Sequence, residues 1–121
     1  MRKIAVHFPI VIYPSEGDGM RHFTAHCLNL DLLADDDSVQ AAVSQLLELI
    51  EQQLDAAEEY GADPFRRAPS QYWKMLGDAR PIPRELVERI VEEANARRAN
   101  TIPSNSAIDS SQIDVRELQP A

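Results

Sequence analysis

The sequence predicts an α+β fold in which a three-stranded antiparallel sheet carries one long helix on one of its faces. Two patterns lead to this class. Apolar side chains alternate with period two in the first third of the chain, and they recur at helical spacing from residue 38 to 60. A chain of 121 residues is long enough for one two-layer core. We therefore expect an αβ domain over 1–80, a C-terminal helix over 81–99 and a flexible tail over 100–121.

Three strands account for the alternating stretches. The first is predicted over 3–13, where the apolar positions are Ile4, Val6, Phe8, Ile10 and Ile12. Because Pro9 has no N–H to donate to a ladder, this strand should lie at a sheet edge or bulge there. The turn-rich segment 14–19 predicts a hairpin into a second strand over 21–28. Leu28, Leu30 and Leu32 continue the alternation into a short third strand.

The long helix is predicted from Ser38 to Tyr60. Placed at about 100° per residue, its apolar residues fall within an arc of roughly 100°, the stripe expected of a helix that covers a core. The stripe consists of Val39, Val43, Leu46, Leu47, Ile50, Leu54 and Ala57. Asp37 or Ser38 is the expected N-cap, and Gly61 should end the helix.

The second half of the chain predicts two further helices. A short one over 70–76 should stop at Gly77, and a longer one over 83–99 has Pro83 near its start. The apolar stripe of the longer helix is thin and consists of Leu86, Val87, Ile90, Val91 and Ala94. Residues 100–121 are rich in Ser, Asn and Pro with few large apolar residues, which is typical of a flexible tail.

The formal net charge of −8 is concentrated in one part of the chain. Acids and bases balance over 1–34 and over 60–121, whereas 35–59 contains eight acids and no base. Three of these, Asp35, Asp36 and Asp37, precede the long helix. The others, Glu48, Glu51, Asp55, Glu58 and Glu59, fall within another arc of about 100°, on the far side from the apolar stripe. Like charges four residues apart repel, so either the chain's own Arg residues or a basic partner should lie on this face, unless it is simply solvated.

Metal-binding and catalytic chemistry are poorly supported. His22, His26 and Cys27 suggest a zinc site, with His7 as a fourth ligand, but adjacent residues of a strand point to opposite faces and do not easily share one ion. The helix acids face solvent rather than a concave, desolvated site, and the sequence contains no Gly-rich phosphate loop. We expect no metal, no cofactor and no enzymatic activity.

Protein binding is the function that the composition favours. A net-acidic chain lacks the Lys and Arg excess that drives non-specific nucleic-acid binding, whereas it suits a small basic protein partner. Tyr72 and Trp73 either close the core of the sheet layer or anchor an interface. The single Cys27 suits a reducing cytoplasm. No apolar run approaches the roughly 20 residues of a membrane span, and we expect no signal peptide.

Residues 8–13 and 22–61 together resemble the HicB-like antitoxin domain. The resemblance rests on an aromatic-Pro opening strand at 8–12, an Ala-x-Cys strand end at 25–27, small apolar residues at 30–32, and Ser38 as a helix cap followed by Ala41 and Ala42. It covers roughly half the chain. The sequence departs from the family after Cys27, where the common Pro-Gly pair is absent, and at 34–37, where the family has a Gly before the helix.

This resemblance implies a partial RNase H-like fold without the catalytic acids of that fold, in a bacterial type II toxin–antitoxin system. Such antitoxins bind a small basic endoribonuclease toxin, HicA, and often repress their own operon through a C-terminal DNA-binding module. Residues 81–98 resemble the first helix of a ribbon-helix-helix module, but the second would fall on 104–113, which is poorly periodic. The alternatives are a structural homo-oligomer that uses its open sheet edge and residues 72–76, and a weakly DNA-binding autorepressor.

The residues expected to contact a partner are those of the acid-rich segment together with the two aromatic residues of the short helix. They are Asp35, Asp36, Asp37, Glu48, Glu51, Asp55, Glu58, Glu59, Tyr72 and Trp73.

Overall fold

The structure, a computed structural model, describes residues 6–17, 20–99 and 108–118. Within these residues it is α+β, which confirms the predicted class. The elements in chain order are β1 (Phe8–Gly17), β2 (Met20–Cys27), β3 (Leu32–Asp36), α1 (Val39–Tyr60), α2 (Ser70–Asp78), β4 (Arg80–Pro81), α3 (Arg84–Ala99), a 3-10 turn (Ser110–Gln112) and β5 (Ile113–Glu117).

The strands form one mixed sheet in the order β3-β2-β1-β5-β4. The pairs β1–β2 and β2–β3 are antiparallel, as predicted, whereas β5 runs parallel to β1 and β4 pairs antiparallel with β5. The prediction of a three-stranded antiparallel sheet is therefore right for β1 to β3 and wrong for the whole sheet, which has five strands in the described part of the chain.

The segment predicted as a flexible tail is built into the sheet where it is described. β5 lies between β1 and β4, and its Ile113 and Val115 are buried. The Arg84 guanidinium donates hydrogen bonds to the backbone oxygens of Ile113, at 3.2 Å, and Ser110, at 2.5 Å, so α3 helps to hold the approach to the strand. The tail prediction is wrong for 108–118; residues 100–107 and 119–121 lie outside the described residues. Within 108–113, the described part of the second ribbon-helix-helix helix, the chain forms a 3-10 turn and enters a strand.

The expectation that Pro9 marks a sheet edge is also wrong, because β1 is a central strand between β2 and β5. Pro9 sits where the β1–β2 ladder ends. Its carbonyl accepts from the Leu28 N–H at 3.0 Å, but it has no N–H to return to the Leu28 carbonyl. That carbonyl instead accepts from the Ala68 N–H at 2.8 Å, so a loop segment supplies the donor that proline lacks.

Helix α1 lies where the periodicity placed it. Ser38 is the N-cap and its hydroxyl accepts from the Ala41 N–H at 3.1 Å, while Gly61, with φ of 65°, ends the helix in the left-handed conformation that glycine adopts without strain. Helices α1 and α3 together cover one face of the sheet, which we call the inner face. Its core includes Phe8, Ile10, Ile12, Ala25, Cys27, Leu46, Leu47, Ile50, Val87, Ile90, Val91 and Ala94.

A smaller cluster lies on the opposite, outer face of the sheet. Val11 and Leu28 are fully buried there, and α2 packs over them through its aromatic and aliphatic side chains. Those side chains are Tyr72, Trp73, Met75 and Leu76. Helix α2 continues to Asp78, so Gly77 does not stop it as predicted. The chain reaches this face from the end of α1 by running beside the β2–β3 turn, where the Arg66 N–H donates to the Asn29 carbonyl at 3.0 Å.

Candidate functional site

The flank of α1 that carries Gln40, Ser44 and Glu48 faces α3. Arg97 lies 3.6 Å from a Glu48 carboxylate oxygen and also donates to the Ser44 hydroxyl. One turn earlier, Gln40 donates to Glu93 of α3 at 3.2 Å. The chain's own second long helix therefore occupies part of the surface that the sequence assigned to a basic partner.

Glu51 is the clearest error among the predicted site residues. It was expected on the solvent-facing arc, but only 2% of its surface is exposed. Glu51 lies four residues after Leu47 and three before Leu54, so it shares a flank of the helix with two core leucines. Glu51 lies two helical turns after Ser44, which Arg97 of α3 contacts, so it is also on the side of α1 that α3 covers. The acidic arc thus adjoins the apolar stripe instead of opposing it, and Glu51 is inaccessible to a partner.

The acids that precede α1 remain largely accessible. Asp35 accepts hydrogen bonds from Ser15 at 2.8 Å and from Thr24 at 3.4 Å, across the outer face of β1 and β2. Asp36 is half-buried and accepts from the Asp37 N–H at 2.8 Å and from Gln45 at 3.3 Å. Asp35 and Asp37 are exposed, and we call this pair the N-terminal acidic patch.

A second exposed group of acids lies at the other end of α1. Glu58 and Glu59 are exposed and Asp55 is half-buried, while the neighbouring Tyr60 is 78% exposed. We call Glu58 and Glu59 the C-terminal acidic patch. A helix rises 1.5 Å per residue, so roughly 30 Å separate the two patches. The single acidic face predicted from the sequence is therefore divided into two patches, with α3 between them along the flank.

Tyr72 and Trp73 are half-buried and pack within the chain. The Trp73 indole N–H donates to the Ala68 carbonyl at 3.2 Å, and the Arg67 guanidinium carbon lies 4.2 Å from the centre of its ring, within cation–π range. Tyr72 stacks on Tyr13, with 5.9 Å between ring centres. These contacts agree with the interpretation that the two residues close the outer layer of the core.

A buried hydrogen-bonded chain on the outer face was not foreseen. Only 1% of His26 is exposed, and its Nε2 lies 2.8 Å from an Asp31 carboxylate oxygen while its Nδ1 lies 3.3 Å from the Tyr13 hydroxyl. Because the carboxylate can only accept, Nε2 donates to Asp31, and in the neutral imidazole Nδ1 accepts from the Tyr13 hydroxyl. Asp31 adopts a left-handed backbone conformation with φ of 52°. The hairpin register places His26 opposite Val11 and diagonal to Tyr13, a contact that the sequence could have indicated once that register was known.

This chain of groups is suited to fixing structure. Burial, followed by the neighbouring Tyr72, Asp31 and Asp35, raises the pKa of the Tyr13 phenol to about 12, so it stays protonated at neutral pH. The Tyr72 ring covers His26, with 4.6 Å between the ring centres. The network therefore ties β1, β2 and the β2–β3 turn to helix α2.

His26 and Cys27 point to opposite faces of the sheet, as predicted from strand geometry. Burial raises the pKa of the Cys27 thiol to about 12, which keeps it protonated and unsuited to nucleophilic chemistry or metal ligation. Within 6–17, 20–99 and 108–118, no three His, Cys, Asp or Glu side chains are grouped so that they could hold a metal ion. None of the helices in these ranges has the length and apolar character needed to cross a bilayer.

Comparison with known proteins adds no relative, since no protein-family model, curated protein or solved structure matches the chain.

Proposed function

We propose that this protein is a HicB-like antitoxin-type domain that binds a small basic protein, of the mRNA endoribonuclease toxin class, through its exposed acidic residues. One observation carries the proposal. Although α3 covers the middle of the acid-rich segment, Asp35, Asp37, Glu58 and Glu59 remain exposed at its two ends. Carboxylates in these positions would steer a basic partner and set its orientation.

The fold supports the same interpretation. Strands β1, β2 and β3 followed by α1 across one face give the arrangement that the HicB-like resemblance implies for this half of the chain. The resemblance supports a bacterial cytoplasm as its setting, and the free Cys27 is compatible with such a reducing compartment.

The test is to find whether a neighbouring gene encodes a small basic protein and to measure the binding of that protein to this chain. The double variant Glu58→Lys and Glu59→Lys reverses the C-terminal acidic patch without touching the α1–α3 contact. We expect its association rate to fall by at least about 10-fold at low salt, and the difference to shrink as salt screens the charges. Stopped-flow or surface plasmon resonance at several salt concentrations measures both effects.

The matched control is Glu85→Lys with Glu92→Lys, two exposed acids of α3 that change the net charge by the same amount. We expect less than about a twofold change in association rate. An equal loss in both double variants would show that only the net charge matters and would contradict an acidic binding site. If no neighbouring gene encodes a small basic protein, the antitoxin role fails.

A structural homo-oligomer is the second candidate, favoured by the terminal position of β3 in the sheet. It predicts a stable assembly of the isolated chain that added basic protein does not change, and light scattering with and without that protein distinguishes the two functions. The segment 72–76, which this alternative also uses, is partly occupied by packing on the outer face.

A further inference from the structure

The two edges of the sheet differ in their capacity to accept another strand. At one edge, β4 has only two residues and one of them, Pro81, has no N–H. At the other edge, β3 has five residues, none of them proline, and no described residue pairs with its outer side. Strand β3 is therefore the edge that can be extended by main-chain hydrogen bonds.

The ladder geometry shows which backbone groups β3 presents. The backbone N–H and C=O groups of successive residues in a strand point to alternate sides. The Leu28 N–H bonds the Pro9 carbonyl on β1, so the groups of His26, two residues earlier, also face β1. Those of Ala25 therefore face β3. Ala25 pairs with Ala34, and the groups of Ala34 are thus used within the sheet. The N–H and C=O of Leu33 and Asp35 consequently point away from β2, at the free edge.

The side chains of the same two residues define what could lie beside them. Both stand on the outer face, where Leu33 is 48% exposed and Asp35 is exposed and negatively charged. Asp31 and Asp37, also exposed, flank the strand. A second copy of this chain would bring the same acids together, which costs energy and disfavours self-pairing. A strand that carries Lys or Arg opposite Asp35 and an apolar residue opposite Leu33 would instead match both positions.

We infer that β3 is the docking edge for an extended, basic segment of a partner protein, which adds as a sixth strand and pairs with the backbone of Leu33 and Asp35. This inference rests on the proposed function for the basic character of the partner, and it adds the surface and the mode of binding. It assigns the N-terminal acidic patch to the contact with that strand and leaves the C-terminal patch to steer the rest of the partner.

The test uses the full chain and a short capped lysine–valine peptide. Its lysine and valine are two residues apart, with threonine between them, so that both side chains lie on the face of Leu33 and Asp35. Amide hydrogen exchange is followed by NMR in the free and peptide-saturated protein. We expect exchange at Leu33 and Asp35 to slow by at least about 10-fold, because their N–H groups gain acceptors, while exchange at Ala34, already bonded to β2, changes little. A peptide with glutamate in place of lysine should have no effect.

Two controls separate strand pairing from simple charge attraction. The same lysine–valine peptide, N-methylated at alternate residues, keeps its charges and loses the donors of one edge, and it should bind at least about 10-fold more weakly. In the protein, Leu33→Pro removes a backbone N–H that faces the free edge, and Leu33→Thr keeps it. The proline variant should still fold, because an edge strand tolerates proline where the N–H faces outward. We expect Leu33→Pro, and not Leu33→Thr, to lose binding. If the proline variant does not fold, the methylated peptide still decides.

Equal binding of the methylated and unmethylated peptides would overturn the inference. The inference would also be overturned if the amides of Leu33 and Asp35 were protected from exchange in the free protein and this protection grew with protein concentration. A second copy of the chain would then occupy the edge. Binding of the neighbouring basic protein without protection of these two amides would refute the β3 edge and leave the antitoxin role intact. Protection by the lysine–valine peptide, in the absence of any basic neighbouring protein, would support the edge while the antitoxin role fails.

Discussion

Replacing Ile113 by alanine should strongly destabilise the protein, because residues 113–117 form a strand inside the sheet. Only 2% of Ile113 is exposed, and it belongs to the inner core beneath α3. Removing the side-chain methyl and methylene groups of a buried isoleucine costs about 2–5 kcal/mol, from lost transfer free energy and the cavity left behind. With a urea m-value of about 2 kcal/mol per molar, typical of small domains, the unfolding midpoint should fall by roughly 1–2.5 M.

The matched control is Asp114→Ala in the same strand. Asp114 is half-exposed and its carboxylate contacts Arg116 at 3.3 Å, a surface ion pair that contributes at most about 1 kcal/mol. Urea unfolding of both variants, followed by circular dichroism, measures the difference. A loss below about 0.5 kcal/mol for Ile113→Ala would refute the placement of β5 in the core and restore the flexible-tail interpretation. Truncation after residue 107 should abolish cooperative unfolding altogether, because it leaves β1 without a neighbour on one side.

Three further predictions concern single contacts. Ser38→Ala removes the acceptor for the Ala41 N–H and should cost about 1 kcal/mol of unfolding free energy, measured by urea titration. Tyr13→Phe leaves Nδ1 of the buried His26 without its donor and should cost about 1–3 kcal/mol, whereas Tyr60→Phe, at an exposed position, should cost nothing measurable. The raised pKa of Cys27 means that the folded state holds its proton more tightly than the unfolded chain, so the stability contribution is complete below pH 9 and is lost as the pH rises toward 12. Between pH 8 and pH 10, the unfolding free energy of wild type should fall by about 1.4 kcal/mol more than that of Cys27→Ala, as measured by urea titration.

Each of these predictions can fail in a specific way. An unchanged unfolding midpoint in Ser38→Ala would mean that the α1 N-cap contributes nothing. Equal losses in the two tyrosine variants would show that the hydroxyl of Tyr13 is not a partner of His26. Parallel stability curves for wild type and Cys27→Ala between pH 8 and 10 would indicate that the thiol is not buried on the inner face.

Much of the candidate site was not predictable from the sequence. The exposed acids at 35, 37, 58 and 59 could be found from charge alone, since no base occurs near them in the chain. The burial of Glu51 and the pairing of Glu48 with Arg97 depend on where α3 packs, and residues nearly fifty positions apart carry no mutual signal in one sequence. The exposed edge of β3 follows from the strand order, which local periodicity does not specify.

The sequence by itself determined the elements whose signals are local. Helix α1, with its cap at Ser38 and its end at Gly61, and the alternation of β1 and β2 follow from side-chain spacing and from turn and cap chemistry within a few residues. Only the tertiary structure decided that Pro9 lies in a central strand and that Ile113 begins a strand beside β1. The physical reason is that a parallel pairing between β1 and β5 joins segments about a hundred residues apart. Ile113 and Val115 favour a strand and alternate with polar residues, but five residues in a Ser-rich segment are too few to specify one alone. The pairing with β1 and the core that β5 covers decide its conformation.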